Sequence, residues 1–480
     1  MSHIHTHTYP NEFRVVYEKS PSNSVPISAI QLFVDFGSIH ESDEEHTRGI
    51  AHFMEHMVFK STKKYPESKQ IFSQFDRMGA KVNAYTVKRY TCYTIEVQDE
   101  FMTNALEILS EMLLQSLMNP EHMKREEQVV LEENIKNIKD PDQILEDGKD
   151  SLLYQGTPYE YPIDNISYHK HAYKPKEIKK WYKSIYQPHR MIISIVSNQS
   201  FSSLCTLIQN TDFVQRAECH QQLTSKGASH PEKFVKKSTS IPLSLITNNC
   251  PVHNKSPLLI YKPDLTTFFV TLSFPTCTYT SSDRHALNFL KIILGGHFSS
   301  RMFMILREQH GLTYNSYVST QYNEYGGDFS LCIECDDARF FTDNHGANRK
   351  RKSRSIGGLS SPITKKLGVL PLLIKLLRDI QKKGNITLSE MEQNKSYIRG
   401  ILSLKMNSNE TYTEHNGQQC LLYGMDNIIS YRDIYSTYYE PLTIDDMERV
   451  IQKYIRLDEM FITMVGTKLP SPTTILNMMV

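Results

Sequence analysis

Two domains of mixed helix and strand are what this 480-residue sequence predicts. Three observations point to them. The chain is too long for one ordinary core and suits two domains of roughly 200–240 residues. A stretch rich in Ser, Lys, Asn and Pro, from about 218 to 256, breaks the patterned sequence; the linker is taken as 226–256, between domains at 1–225 and 257–480. Each half runs through strand-like, then helix-like, then strand-like segments, a weak internal repeat.

Composition narrows the class. Hydrophobic residues make up 39% and charged residues 22%, as in a soluble globular chain, and the net charge of +1 gives no field toward nucleic acid or an acidic membrane. There is no apolar run of about 18 residues, so no membrane-spanning helix is expected. The N-terminus, MSHIHTHTYPNEFR, lacks an apolar or Arg-rich leader, and a cytoplasmic location follows as the expectation. His3, His5 and His7 are read as part of a frayed, solvated tail. Eight scattered cysteines without a secretion signal suggest reduced thiols. The Cys332–Cys335 pair lies in a strand-like run, where residues three apart face opposite sides, so it is a poor chelator.

In order, FRVVYEK and AIQLFVDFGS read as strands joined by a polar loop, and an acidic loop, GSIHESDEEHTRG, follows. SKQIFSQFDRMGA has helical spacing and stops at Gly79; KVNAYTVKRYTCYTIEV is a pair of β-rich runs. FMTNALEILSEMLLQSL is a helix of about four turns, and Pro120 opens another that Asp140-Pro141 closes. MIISIVS at 191–197 is a buried strand. The second half reads as strand (TTFFVTLSFPT), helix (DRHALNFLKIILGG), helix (SRMFMILREQHG) and hairpin (TYNSYVSTQYNEYGGDFSLCIEC). The basic, Gly/Ser-rich insertion at 344–366 is read as a disordered surface loop, with a localisation signal or a patch for an anionic partner as the alternative.

The chemistry concentrates in GIAHFMEHMVFKST, Gly49–Thr62. Its apolar spacing suits a helix, and His52 and His56, four apart, share one face. Two imidazoles one turn apart can each give a nitrogen to one zinc ion at about 2.0–2.1 Å. Glu55 lies beside them and could take a proton from the attacking water; the pattern is HxxEH, the inverse of HExxH. A catalytic zinc needs a third protein ligand. The helix REEQVVLEENIKN offers Glu126 and Glu133, seven apart on one face, with Glu132 as a rival.

With these residues in view, the chain resembles the pitrilysin/insulysin/mitochondrial-processing-peptidase family of inverzincin metallopeptidases. The resemblance runs through GIAHFMEHMVFKST, MGAKVNAYTVKRYTCYTIEV, EEQVVLEENIKN and LREQHGLTYNSY, in that order, over most of 11–200 and 258–335. It implies an α+β fold: two homologous αβ domains, mostly antiparallel sheet packed with helices, facing each other across a cavity. It implies one Zn2+ per chain, in the first domain. The family's ligand spacing reaches Glu132 or Glu133. The family also keeps a supporting glutamate seven residues earlier, and since position 125 is arginine, Glu126 fits only with Glu133 as ligand. His52, His56 and Glu133 are therefore the expected ligands, Glu55 the base, and Glu126 the group that orients a ligand histidine. Arg307 and Tyr314 match the second-domain pair that approaches the substrate carbonyl.

The expected activity is hydrolysis of peptide bonds in unfolded peptides or protein tails, with the strand at Asn83, Ala84 and Tyr85 pairing with an extended substrate. Two competing readings are a non-catalytic assembly subunit of the same fold and a processing protease dedicated to one partner, as in organelle import or virus assembly. The insertion at 344–366 lies outside the family pattern. Members of this length commonly pair, so a homodimer or a heterodimer with a related subunit is plausible.

Overall fold

The structure, a computed structural model, describes residues 4–21, 26–42, 47–163, 174–215, 256–341 and 367–479. His3, the expected linker up to 255 and the insertion at 344–366 lie outside these residues.

The described residues form two sheets. The first runs β1-β2-β6-β3-β5-β4, formed by β1 (Ile4–Thr8), β2 (Arg14–Lys19), β3 (Ile27–Val34), β4 (Lys81–Thr86), β5 (Thr91–Gln98) and β6 (Met191–Ser197). The second runs β7-β11-β8-β10-β9, formed by β7 (Leu258–Tyr261), β8 (Phe268–Thr276), β9 (Thr313–Tyr322), β10 (Gly327–Cys335) and β11 (Phe461–Gly466). In each sheet one pair is parallel, β2 with β6 and β7 with β11; the other pairs are antiparallel. The fold is α+β with mostly antiparallel sheets, as expected. One expectation fails: the N-terminal segment read as a frayed tail is strand β1, with His5 opposite Tyr17 and His7 opposite Val15. The His5 ring also stacks on Phe201 at 5.1 Å. Alternation of four polar residues with Ile4 carries little strand signal by itself, so the strand depends on its partner β2.

The chain divides into two compact units. The first comprises Met1–Asn137, Tyr161–Thr239 and Arg399–Thr437; the second comprises Ile138–Glu160, Ser240–Ile398 and Tyr438–Val480. The chain's helices include α1 (Ile50–Met57), α2 (Ser68–Met78), α3 (Met102–Leu114), α4 (Pro120–Asn137), α5 (Pro141–Leu153), α6 (Pro175–Ile185), α7 (Phe201–Gln209), α8 (Asp283–Gly295), α9 (Val369–Ile380), α10 (Asn409–Tyr423) and α11 (Ile444–Tyr454), with a further long helix at Leu388–Lys405. Gly79 ends α2 in a left-handed conformation, φ 59°, where glycine lacks the Cβ penalty. Asp140 and Pro141 do close α4, but they also open α5: Asp140 accepts from the Asp142 amide and Pro141 occupies the first turn.

Alternation along the strands buries the first sheet on both faces. Ile30, Leu32 and Val34 of β3 face a core shared with α1, α2, α3, α6 and α7. Phe33 faces the other way, with Val16, Cys92 and Ile192, toward Cys420 of α10. A Cβ on Gly417 of α10 would lie 2.0 Å from Phe33 Cε2, so only glycine permits this approach. Buried Glu18 completes the seam, accepting from Asn416 Nδ2 at 2.8 Å and Ser430 Oγ at 2.9 Å. In the second unit α5 packs on β8 and β11, and Gly148 meets the side chains of Ile260 and Thr463. Buried Lys149 of α5 lies 3.5 Å from both Asp150 and Asp328, and Tyr154 donates to Asp328 at 3.0 Å. Among the described residues, no helix is long and apolar enough to cross a membrane.

Candidate metal centre

Helix α1 begins at Gly49, φ 79°, and its N-terminus is capped from a distance. Glu41 accepts from the amides of Gly49 and Ala51, both at 2.8 Å, putting negative charge at the positive end of the helix. The helix is buried on nearly all sides; Ile50, Ala51, Phe53, Met54 and Met57 fill the core. His52 and His56 project from it together, with ring centroids 4.7 Å apart.

Three donor groups converge. His52 Nε2 and His56 Nε2 are 3.1 Å apart, and Glu133 Oε2 lies 3.8 Å from the first and 3.6 Å from the second. A tetrahedral zinc with bonds of 2.0–2.1 Å has ligand atoms about 3.3 Å apart, so the spacing suits that ion. Two imidazoles with one carboxylate is also a donor set catalytic zinc uses. Glu133 is the α4 glutamate that reaches the pair, and Glu132 takes no part in the group.

Glu126, 5% exposed, accepts the Nδ1 proton of His56 at 2.8 Å. That bond leaves Nε2 unprotonated and aimed at the metal position. The other Glu126 oxygen is 2.7 Å from Lys60 Nζ. Burial pushes the Glu126 carboxyl up, but the hydrogen bonds from His56 and Lys60 outweigh it and hold the group below its ordinary range. Glu55 is nearly buried, and its Oε2 accepts from Thr86 Oγ1 at 2.6 Å. Burial raises its pKa; the Thr86 hydrogen bond and the two imidazoles oppose that without cancelling it.

Asn83, Ala84 and Tyr85 lie on β4, the last strand of the first sheet, which pairs with β5 on one side. The Tyr85 side chain is not offered outward: it packs beside Cys92 and Tyr90. Arg307 and Tyr314 belong to the second unit. The Arg307 guanidinium lies 5.6 Å from the Tyr314 ring centroid and 5.0 Å from that of Phe303, and Tyr314 is 81% exposed. Glu41, Lys60 and Thr86 were not anticipated. Lys60 had a legible signal, since it follows His56 by four residues; Glu41 and Thr86 reach α1 from other elements.

Fold and donor set together define a two-unit α+β protein with a candidate His–His–Glu metal site on one unit. The sequence profile of Insulinase (Peptidase family M16) matches residues 14–165, and that of the Peptidase M16 inactive domain matches 173–344. Together they span more than half of the chain, and it belongs to the M16 peptidase family. The uncharacterized zinc protease YmxG of Bacillus subtilis (strain 168) is 29% identical over 432 residues, 89% of this chain and 91% of that protein. An uncharacterized zinc protease of Mycobacterium leprae (strain TN) is 26% identical over 417 residues, 87% of this chain and 82% of that one. In three dimensions a protease from Helicobacter pylori is similar at TM-score 0.75 and 18% identity, over 97% of this chain and 100% of that one. The periplasmic protease PqqL from Escherichia coli is similar at TM-score 0.72 and 15% identity, over 100% of this chain and 50% of that one.

Proposed function

We propose that the protein is a zinc metalloendopeptidase acting on unfolded peptides or protein tails. The observation that carries this reading is the convergence of His52, His56 and Glu133, with Glu55 beside them on the same helix. The relatives named as zinc proteases support the choice of ion. When bound, zinc supplies Lewis acidity, polarising the scissile carbonyl and making water a competent nucleophile near neutral pH.

His52 and His56 would hold the ion through Nε2, and Glu133 through its carboxylate. Glu126 keeps the Nδ1 proton of His56 in place and so fixes the ring's tautomer. Glu55 takes a proton from the attacking water and returns it to the leaving amine. The outer edge of β4, at Asn83, Ala84 and Tyr85, offers main-chain groups to an extended peptide. Such pairing is tolerant of sequence, which favours unfolded segments as substrates. Arg307 and Tyr314 are assigned to the substrate's carbonyl region on the family resemblance of their segment; their stacking holds the two together. A reducing compartment such as the cytoplasm suits the six described cysteines, all single thiols and five of them buried. Pairing with a second copy or a related subunit stays part of the reading.

The test is Glu55→Gln. Zinc content should stay at one per chain while cleavage of a mixed peptide pool falls by about three orders of magnitude. Undiminished cleavage by that variant would end the reading.

A further inference from the structure

We propose that Thr86 is a positioning residue for Glu55 and ties that base to the strand edge on which a peptide pairs. The inference rests on the peptidase reading above and adds a residue and a purpose to it.

Thr86 is the last residue of β4, and its Oγ1 is 2.6 Å from Glu55 Oε2. The neighbours fix the direction of this bond. An ionised carboxylate can only accept. The Thr91 hydroxyl donates to the Phe36 carbonyl at 3.0 Å and lies 3.5 Å from Thr86 Oγ1, so the much shorter contact to Glu55 takes the Thr86 proton. One carboxylate oxygen is thereby committed and the other is left for water. Without that bond the carboxylate has its broad, two-fold terminal torsion to explore.

The strand itself is held on both faces. Val82 and Ala84, which alternate with Thr86 on one side, pack against the core beneath α1. Tyr85 packs on the opposite side with Cys92 and Tyr90. The pairing edge at residues 83–85 and the partner of the base are therefore consecutive parts of one clamped strand. A peptide laid on that edge has its register measured from the strand that holds Glu55. A slip of one residue moves its scissile bond by about 3.3 Å, more than proton transfer tolerates.

The experiment uses the zinc-loaded full chain as wild type, Thr86→Val, Thr86→Ser and Thr86→Ala, with one peptide chosen from those the wild type cleaves. Thr86→Val should lower kcat tenfold or more, leave KM within twofold and keep one zinc per chain. Thr86→Ala should lose as much kcat, and Thr86→Ser should recover to within threefold of wild type. Infrared difference spectra against Glu55→Gln read the base without turnover: its carboxylate band should shift in Thr86→Val and return in Thr86→Ser. Wild-type kcat in Thr86→Val, a change in KM alone, loss of zinc, or an unmoved carboxylate band would each overturn the proposal. If the wild type binds zinc and cleaves nothing while the band shifts as expected, the peptidase reading falls and the Thr86–Glu55 positioning stands.

Discussion

The sheets of the two units share a strand order, and the units differ in what stands on it. Leaving β1 aside, the strands of each sheet, numbered by their order along the chain, run first-fifth-second-fourth-third, with the same single parallel pair. The first α-helix after the second strand is α1 in one unit and α8 in the other. In α1 that position buries His52 and Glu55 among apolar residues; in α8 it buries Ala286, Leu287, Phe289, Leu290, Ile293 and Leu294, with Asp283 the one buried charged residue, at its start. The same topology thus carries a candidate metal centre once and a mostly apolar core once. Reactivity resides in a few side chains set on the scaffold, not in the scaffold. Each sheet is also covered by a helix from the other half of the sequence, α10 on the first and α5 on the second, and both meet the sheet at a glycine.

The largest expected effect separates the two helices. His52→Ala removes one of three donors and should weaken zinc binding at least about a hundredfold. His285→Ala, in α8, should leave zinc binding unchanged by metal titration; a matching loss would mean that the units are not divided in this way.

Next come the two glycines. A methyl at 417 meets the ring of fully buried Phe33, and Gly417→Ala should cost about 3 kcal/mol in denaturant unfolding. A methyl at 148 meets side-chain ends at 2.9–3.3 Å that can shift, and alanine favours the helix. Gly148→Ala should therefore fall within about 1 kcal/mol of wild type. Equal losses would show the two seams to be equally tight.

Glu126→Gln should lower zinc affinity by about ten- to a hundredfold, the usual effect of losing a carboxylate behind a ligand histidine. The smallest effect concerns Asp283 at the start of α8. Burial pushes its carboxyl up, but hydrogen bonds from Lys453, Arg449 and Tyr454 win and hold it at about 2. Below its unfolded value, it adds stability above about pH 4 that is lost as pH falls through about 2. Arg449 and Lys453 are half exposed, so screening limits the contribution to about 1 kcal/mol. Asp283→Asn should remove that amount at neutral pH and flatten stability between about pH 4 and 2.

Much of the centre was legible because its signals are local. The one-turn spacing of His52 and His56 needs only a helix, and Glu126 and Glu133 need only two turns of another. The repeat of strand, helix and strand patterns in the two halves was legible, but the order of the strands within each sheet was not. What escaped depends on distant partners. A Thr86 hydroxyl reaching Glu55, a Glu41 cap eight residues ahead of Gly49, and the choice of sheet for α5 or α10 leave no periodicity. Strand β1 escaped for the same reason, since it is defined by β2 rather than by its own composition.

The seam between Glu18 and Asn416 has a consequence for how the chain is made. Its partners are 398 residues apart, and all six strands of the first sheet have been synthesised by Ser197. At about 5–20 residues per second, the ribosome needs roughly ten to forty seconds more to deliver α10. Until then Val16, Phe33 and Ile192 have no cover on their outer face. The nascent sheet is an aggregation risk throughout that interval, and chaperone demand should be greatest before α10 emerges.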